Sequence, residues 1–411
     1  MTLTLLFAFL PVALLLVNAS PEIRLAILGS TSFFLVSMLL GSLSYSLFLP
    51  HADAPSLGYA MLACVLTLRR GMPTTRRIAF VALLAWFSVL SKQVMVPILV
   101  ALPLWFLIVH GRREAIRLVG WLGVTGAGVM ALMIALFRPE GVLFNGLIIP
   151  ARTPWKLAET PRIIAVLSVA AELIVHSIPL VILLTVGAVL TGVVRYRSPP
   201  SLTGLRPFLV ENPWTLPALV ALTMVPVSVL GRVKVGGDLN TFSPTEYFLL
   251  AAGILSVIGV SQGLRDHGDH VNYQTSSGLM ALCSLVLAIG GASQIPRLAG
   301  GTPFREHRSQ VAYSFLTRED SRAYFPMHPL AHVLADGSLY HFGTSLYDRE
   351  VLARLPLSAE QRKGHFPVNP TIVCWDPDYW GEAWLKTSYF TEYSQRVDVP
   401  SLGPVWKCYA R

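Results

Sequence analysis

Charge is scarce in this sequence. Only 13% of its 411 residues are charged, whereas 53% are hydrophobic and the mean hydropathy is +0.57. Soluble domains carry about a quarter charged residues, so the composition excludes a soluble core and a disordered chain. The apolar runs are continuous, and each is close to the roughly 20 residues of a bilayer-spanning helix. They exclude a coiled coil and an outer-membrane barrel, whose strands alternate, and they predict a helical membrane protein.

Common catalytic and metal-binding motifs are also missing. The sequence contains no HExxH, CxxC or Walker motif and no nucleophile elbow. Of the four cysteines, Cys64 and Cys283 lie in apolar runs and are predicted to be packing residues. Cys374 and Cys408 lie in strand-like stretches of the tail. They either form a disulfide, if the tail is outside the cytoplasm, or remain reduced.

Positive charge is concentrated in the membrane part. The net charge is +9, but residues 294–411 hold 13 basic and 12 acidic residues, so residues 1–293 carry +8. This distribution fits topology signals and contacts with anionic membrane lipids. It does not fit nucleic-acid binding, which requires a basic face on the soluble part.

We predict an α-helical polytopic protein with about ten transmembrane helices and a small C-terminal α/β extracytoplasmic domain. The predicted spans are 3–18, 25–49, 54–68, 78–90, 93–110, 117–137, 163–194, 214–230, 245–262 and 279–293. The membrane domain is therefore 1–293 and the C-terminal domain 294–411. In the latter, a helix is predicted at 311–316 and strands at 323–326, 339–342, 371–375 and 405–409.

One run, 163–194, is too long for a single straight span. Pro179 marks a bend or a break in it. We assign one span, because two would reverse the orientation of everything that follows.

Arginine-rich loops set the predicted orientation, because basic short loops stay in the cytoplasm. The arginines concerned are Arg69, Arg70, Arg76, Arg77, Arg112, Arg113, Arg117, Arg195, Arg197 and Arg206. Counting the spans back from the cytoplasmic loop at 69–77 places Met1 on the outer side. Residues 1–18 nevertheless lack the basic region of a signal peptide. We therefore expect an upstream helix and its outer loop to be absent from this chain.

Ionisable residues on the outer side identify candidate sites, since such residues are costly near a membrane unless they have a task. The turn at 50–55 contains His51 and Asp53. Asp53 is predicted either to orient a sugar hydroxyl or a divalent metal ion, with His51 assisting, or to cap the helix that begins near Ala54. Lys92, on a short hairpin, is predicted to meet an anionic phosphate or Asp53, or else to snorkel to the surface.

The long outer loop 138–162 is the third candidate. Arg152 and Lys156, four residues apart around Trp155, form the leading pair for a lipid-linked phosphate, with headgroup contact as the alternative. Just beyond the loop, Glu172 and His176 share a helix face, where a hydrogen-bonded pair is favoured over a metal site.

The fourth candidate is the loop at 231–240. Arg232 and Lys234 precede a Gly-Gly turn, and Asp238 and Asn240 follow it. Two cations beside a flexible turn are suited to approach a phosphate or a sugar closely. The spacing excludes a nucleotide-binding glycine loop, and a plain tight turn is the alternative.

Taken in order, these motifs resemble the polytopic GT-C glycosyltransferases, in particular the bacterial branch related to protein O-mannosyltransferases and the aminoarabinose transferase of lipid A. The similarity extends over nearly the whole chain. It rests on the segments 51–55, 69–70, 90–95, 111–113 and 236–240, and on the tail segments 323–331, 340–342 and 347–350.

The resemblance implies a bacterial inner-membrane enzyme that transfers a sugar from a polyprenyl-phosphate carrier, with inversion, to an envelope glycan, lipid or protein on the outer face. It implies Asp53 as the acidic residue of the second outer loop, Lys92 as an outer cation, and Arg152 with Lys156 at the carrier phosphate. The main catalytic carboxylate of the family, in its first outer loop, has no counterpart in this sequence. The sequence identifies no cofactor and leaves a divalent metal ion open.

Two other functions stay open. A lipid or sugar transporter would have paired broken helices in two related halves, and the sequence shows no such symmetry. A catalytically inactive partner in envelope-glycan synthesis would account for the missing first loop.

Overall fold

The computed structural model describes residues 2–20, 22–48, 52–156, 160–196, 205–266, 308–318, 322–340, 346–358, 360–361, 365–375, 382–403 and 405–411. The chain divides into two compact units, which are Met1–Val142 with Trp155–Leu298 and Leu143–Pro154 with Ala299–Arg411. Three predictions, for His51, Cys283 and the span at 279–293, lie outside the described residues.

Apolar helices build the first unit. In chain order the helices of the chain up to residue 266 are α1 (Thr2–Ala19), α2 (Ile23–Leu39), α3 (Gly41–Phe48), α4 (Asp53–Leu68), α5 (Thr75–Ser91), α6 (Ile98–Val109), α7 (Arg112–Leu143), α8 (Ile149–Arg152), α9 (Arg162–Tyr196), α10 (Leu205–Glu211), α11 (Thr215–Arg232) and α12 (Ser243–Asp266). Short 3-10 turns at Gln93–Met95 and Leu239–Thr241 precede α6 and α12.

Four helices in the described part of the chain are long and apolar enough to cross a membrane. They are α7, α9, α11 and α12, and the bent pair of α2 and α3 brings the number to five. Helices α1 and α4 and the segment Gln93–Val109 are apolar but shorter. The structure is thus consistent with a helical membrane protein, but ten full-length spans are not found among these residues.

The predicted span at 25–49 is not one straight helix. Helix α2 stops at Leu39, Leu40 is extended (φ −82°, ψ 115°), and α3 starts at Gly41 with its axis bent by 104°. The bend gives the hydroxyl groups of Ser42 and Ser46 buried polar partners on other helices. A straight apolar helix would lack those partners in lipid, where an unsatisfied polar group is costly.

The long run after residue 162 forms one continuous helix, α9, as predicted, and Pro179 lies inside it without ending it. It packs closely on α12. A Cβ at Gly187 would lie 2.1 Å from Oγ of Ser256, and Thr191 Oγ1 donates a hydrogen bond of 3.1 Å to the Ser256 carbonyl. Small residues let the two backbones approach, as is usual between membrane helices.

The predicted loop at 138–162 is largely helical. Arg138 has a positive φ of 62° and interrupts α7 just before Pro139, since a residue before proline is disfavoured in the helical region. Helical structure then resumes through a π-helical turn at Phe144–Ile148 and through α8. After Arg138, the described residues that leave the helical path before α9 are 153–156 and 160–161.

The core of the first unit is aromatic and aliphatic. Phe33 of α2 and Tyr247 of α12 are both fully buried and meet edge to face, with their ring centroids 5.2 Å apart. Cys64 is buried within α4, so its predicted role as a packing residue is confirmed.

The C-terminal part of the second unit is an α/β domain. Its elements are α13 (Arg308–Arg318), β1 (Ala323–Tyr324), α14 (Pro329–Asp336), β2 (Ile372–Trp375), α15 (Glu382–Tyr389), β3 (Gln395–Val397) and β4 (Lys407–Ala410), with a π-helical turn at Asp348–Leu352 and a 3-10 turn at Pro400–Leu402. The strand order is β1-β2-β4-β3, in which only β1 and β2 are parallel.

Alternation along β2 divides the core of this domain between the two faces of the sheet. Cys374 packs with Phe325 and Phe315 on one side, whereas Val373 and Trp375 pack with a second aromatic cluster on the other. The helix predicted at 311–316 lies within α13. Residues 339 and 340 form no strand, contrary to the prediction, and β3 was not predicted.

The two tail cysteines are joined. Cys374 of β2 and Cys408 of β4 lie directly opposite each other in the antiparallel ladder and form a disulfide, with their Cα atoms 4.1 Å apart. Of the two alternatives for these cysteines, the structure therefore contains the disulfide.

Candidate functional site

An antiparallel hairpin of α4 and α5 brings Asp53 and Lys92 together. Asp53 is the first residue of α4, and Lys92 directly follows α5. Lys92 Nζ forms an ion pair with Oδ1 of Asp53, whose side chain is only 1% exposed. The N-cap residue of α4 is Ala52, so the interpretation of Asp53 as a helix cap is wrong. The predicted contact between Lys92 and Asp53 is confirmed.

Two further donors reach the other carboxylate oxygen of Asp53. Asn240 Nδ2 lies 3.2 Å from Oδ2, and Ser46 Oγ lies 3.3 Å from it. The four residues Ser46, Asp53, Lys92 and Asn240 are called the Asp53 cluster below. They come from four different elements, so only the folded bundle assembles this cluster.

Asn240 reaches Asp53 because of the turn that precedes it. Gly236 has a φ of +80°, and a Cβ at Gly237 would lie 2.1 Å from the Gly231 carbonyl oxygen, so both positions require glycine. Asp238 then accepts a 2.7 Å hydrogen bond from the Leu239 amide and starts the 3-10 turn that carries Asn240. The loop at 231–240 is thus a tight turn that also delivers a side chain to the site.

A second polar cluster lies along the same loop. Arg232 Nη2 pairs with Glu172 Oε1 at 2.8 Å, and Nη1 lies 3.6 Å from Asp238 Oδ1. Arg232 Nη1 and Lys156 Nζ both donate to the Gly237 carbonyl. Lys156, Glu172, Arg232 and Asp238 are called the Arg232 cluster below.

Glu172 forms its ion pair with Arg232, the last residue of α11. The expected hydrogen-bonded pair of Glu172 and His176 is therefore wrong. The His176 ring instead lies near that of Phe242, with the centroids 5.9 Å apart. A unit positive charge at Arg232 is a stronger partner for the carboxylate than a neighbouring imidazole.

Lys156 is held by its backbone as well as by its side chain. Its amide donates a 2.8 Å hydrogen bond to Val233, and the adjacent Trp155 forms an isolated β-bridge with Lys234. Burial lowers the pKa of Lys156, and the neighbouring charge of Arg232 lowers it further, against the opposing effect of Asp238 and Glu172. The cation of Lys156 therefore lies near one other cation, Arg232, and near two carboxylates.

The predicted pair of Arg152 and Lys156 is divided between the two units. Arg152 ends α8 in the second unit and its side chain is exposed. Only Lys156 belongs to the unit that contains the Asp53 and Arg232 clusters. The break at Thr153, which is extended (φ −58°, ψ 122°), explains why spacing by four residues did not place both on one helix face.

Sequence reasoning missed a buried carboxyl group, Glu246 on α12, which is 1% exposed. Ser42 donates a hydrogen bond to it, Ser243 Oγ donates to the Ser42 carbonyl at 3.0 Å, and the hydroxyl groups of Ser243 and Ser46 lie 2.5 Å apart. These serines link Glu246 to the Asp53 cluster. An acidic residue inside an otherwise apolar run was the signal that could have identified it.

The donor set of the Asp53 cluster does not fit a divalent metal ion. Asp53 is its only carboxylate, and the Lys92 ammonium already occupies one of its oxygens. Within the described ranges no three His, Cys, Asp or Glu side chains are placed to hold a metal. The site is instead suited to accept and donate hydrogen bonds to a polar ligand.

Both clusters lie away from the arginine-rich loops. Asp53 begins α4, and Arg69 and Arg70 follow its last residue 16 positions later, so roughly 24 Å of helix separates them. Asp53, Lys92 and Asn240, predicted to share one side of the membrane, do lie together.

Comparison of the chain with protein-family models, curated proteins and solved structures gives no match.

Proposed function

We propose that this protein is a membrane-embedded glycosyltransferase of the GT-C type. It transfers a sugar from a polyprenyl-phosphate carrier to a glycan, lipid or protein acceptor of the cell envelope. One observation carries the proposal: a fully buried carboxylate, Asp53, is held by Lys92, Asn240 and Ser46 next to a cationic loop. An ionisable group inside a helical membrane domain is by default a candidate for function.

In this proposal Asp53 orients substrate and does not remove the proton of the acceptor. Three donors already surround its carboxylate, so it is placed to fix a sugar hydroxyl that replaces or joins one of them. The resemblance assigns proton removal to a carboxylate in an outer loop without a counterpart in these residues.

Positive charge for the departing phosphate comes from the Arg232 cluster. When the glycosidic bond to the carrier breaks, negative charge develops on phosphate oxygens, and fixed cations stabilise it. Both carboxylates of the cluster contact Arg232, Glu172 at 2.8 Å and Asp238 at 3.6 Å, whereas Lys156 forms no ion pair among the described residues and contacts a carbonyl oxygen. Lys156 is therefore the first residue we assign to the carrier phosphate, with Arg232 and Lys234 supporting it.

The test is a transfer assay with the full-length protein in membranes and a panel of radiolabelled polyprenyl-phosphate sugars. We expect Asp53→Asn to reduce transfer by about 100-fold, the usual size of a lost preorganised contact. Lys156→Gln should raise the KM for the carrier. Glu114→Gln is the matched control. It also removes a buried acid from an ion pair, with Arg117, but neither residue belongs to the Asp53 or the Arg232 cluster.

Two outcomes would contradict the proposal. Full transfer by both Asp53→Asn and Lys156→Gln would remove the assignment of the site. Absence of transfer by the wild type with every donor would remove the enzyme assignment itself.

One observation favours a transporter as the second candidate function. The 104° bend between α2 and α3 is the kind of discontinuous helix that builds substrate sites in transporters. Movement of the labelled carrier lipid across proteoliposomes, without formation of a new glycosidic bond, would support this alternative over the enzyme.

We further propose that the protein lies in the bacterial cytoplasmic membrane, with its C-terminal domain on the outer side. The arginine-rich loops support this orientation. The disulfide of Cys374 and Cys408 supports it independently, because such bonds persist in oxidising compartments.

A further inference from the structure

A cavity of about 1160 Å³ lies in the first unit, at the end that carries the arginine-rich loops. It forms where the C-terminal ends of α1, α4, α6 and α12 meet. Its polar wall consists of three arginines, one acid and several neutral groups: Arg69, Arg70, Arg265, Glu211, Asn18, Ser20, Thr67, His110 and Gln262. None of these residues belongs to the Asp53 or Arg232 clusters.

Two of the three arginines of this wall form no ion pair with a described acid, although Glu211 lines the same cavity. Arg265 pairs with Glu22 at 3.1 Å. Arg69 and Arg70 are exposed and, among the described residues, have no acidic partner. Arg77 donates to the carbonyls of Arg70 and Gly71, both at 3.4 Å, and so fixes the loop that presents them.

The arginines are not needed to cap the helix ends. Helix C-termini carry partial negative charge that attracts cations. However, the Ala19 carbonyl of α1 already accepts a 2.9 Å hydrogen bond from Gln262, and the Phe106 carbonyl of α6 accepts the amides of His110 and Gly111. The unit charges of Arg69 and Arg70 therefore remain for a ligand.

The surrounding field is positive as well. Burial lowers the pKa of His110, and the charges of Arg77 and Arg206 lower it further, with Glu114 opposing them. Three arginines of the wall, Arg69, Arg70 and Arg265, face a single acid, Glu211, and this excess of positive charge favours an anion there.

Part of the wall is apolar. Trp105 and Val109 of α6 are nearly buried, and Leu68 of α4 is partly exposed beside them. A ligand that fills this space therefore needs an apolar part next to an anionic one. Basic cavities between membrane helices bind anionic lipid headgroups in this way.

We propose that this cavity binds the phosphate group of an anionic membrane lipid. Arg69 and Arg70 hold the phosphate oxygens, each with the planar fork of donors that suits this group. The glycerol and upper acyl segments lie against Trp105 and Val109.

Native mass spectrometry of the full-length, delipidated protein in detergent tests the proposal. Phosphatidylglycerol is titrated as the lipid probe, phosphatidylcholine as the neutral lipid, and glycerol 3-phosphate as the soluble source of the same phosphate chemistry. We expect phosphatidylglycerol to bind preferentially and the double variant Arg69→Gln/Arg70→Gln to lose about tenfold in affinity.

The matched control is Arg112→Gln/Arg113→Gln. It removes the same charge from the first turn of α7, outside the cavity wall, and should keep wild-type affinity. Arg69→Lys/Arg70→Lys keeps the charge but loses the fork, and should show an intermediate affinity.

Three results would overturn the proposal. Equal losses in the Arg69/Arg70 and Arg112/Arg113 variants would indicate general surface charge and no site. Unchanged affinity in the Arg69/Arg70 variant would place the lipid elsewhere. Glycerol 3-phosphate binding as tightly as the lipid would replace the lipid with a soluble phosphate. Circular dichroism of each variant checks that the helices are intact.

Discussion

The side-chain amide of Asn240 donates a 3.2 Å hydrogen bond to Asp53, a residue 187 positions earlier in the chain. This contact ties the Gly-Gly loop to the start of α4. The same loop continues into the Arg232 cluster through Asp238. The two clusters are therefore parts of one connected site. A change in the conformation of the loop should alter the hydrogen bonding of Asp53.

The first prediction concerns the buried ion pair. Lys92→Ala alone leaves the Asp53 carboxylate without its cation and should cost about 3 kcal/mol of unfolding free energy. Asp53→Ala should cost a similar amount. In the double variant the loss should be smaller than the sum, because no lone charge is left. A double-mutant cycle in mixed micelles measures this coupling.

The control for this cycle is the pair of Glu114 and Arg117, which is more exposed and lies on one helix turn. Its coupling should stay below about 1 kcal/mol, as is usual for such pairs. Equal couplings in the two cycles would mean that burial does not distinguish the Asp53 pair.

Span counting was enough to predict which polar residues share one end of the bundle. Asp53, Lys92 and Asn240 lie in turns whose distance from the arginine-rich loops follows from the lengths of the apolar runs. Their common side was therefore predictable, whereas their exact contacts needed the path of the 3-10 turn at Leu239–Thr241.

The break between α2 and α3 was not predictable from hydropathy. Ser42 and Ser46 lower the mean hydropathy of the run only slightly, and an apolar run of that length is typical of one span. The bend places Ser42 beside Glu246, which is 204 residues later in the chain, and Ser46 beside Asp53 at the start of the next helix. A local pattern contains no information on such tertiary partners.

The second prediction concerns Gly237→Ala. Its Cβ would lie 2.1 Å from the Gly231 carbonyl oxygen, so the backbone of the loop must move. We expect a loss of more than about 1 kcal/mol in stability and a faster hydrogen exchange of the amides at 238–242. Gly128→Ala in α7 is the control, because nothing lies within 4 Å of its position. That change should be neutral or stabilising.

The third prediction concerns pH and the C-terminal domain. Burial lowers the pKa of His332, while the hydrogen bond and charge of Asp336 partly oppose it. The Phe325 amide donates to Nε2 of His332 at 3.1 Å, which requires that nitrogen to be unprotonated. The unfolded chain therefore binds a proton more readily than the folded domain, and stability should fall as the pH drops below about 6.5.

Hydrogen exchange of residues 323–336 in the full-length protein between pH 7.5 and 5 measures this effect. His332→Gln removes the titrating group, so its exchange should depend less on pH than that of the wild type. His365, whose pKa is lowered by burial and by Arg349, remains in both proteins and cancels in the comparison. Identical pH profiles would exclude His332 as the cause.

The last prediction joins the disulfide to the orientation of the chain. Cys374 and Cys408 are 34 residues apart and link the two central strands of the sheet, so their bond closes a loop of that length. Replacing both with serine should cost about 4 kcal/mol in the domain, the loop-closure value for this length. The bond forms only if the domain reaches an oxidising compartment. Alkaline phosphatase fused after Arg411 should therefore be active, whereas a fusion in the loop at 69–77 should be inactive. An active enzyme in the 69–77 loop together with reduced cysteines would reverse the orientation, and the Asp53 cluster would then face the cytoplasm.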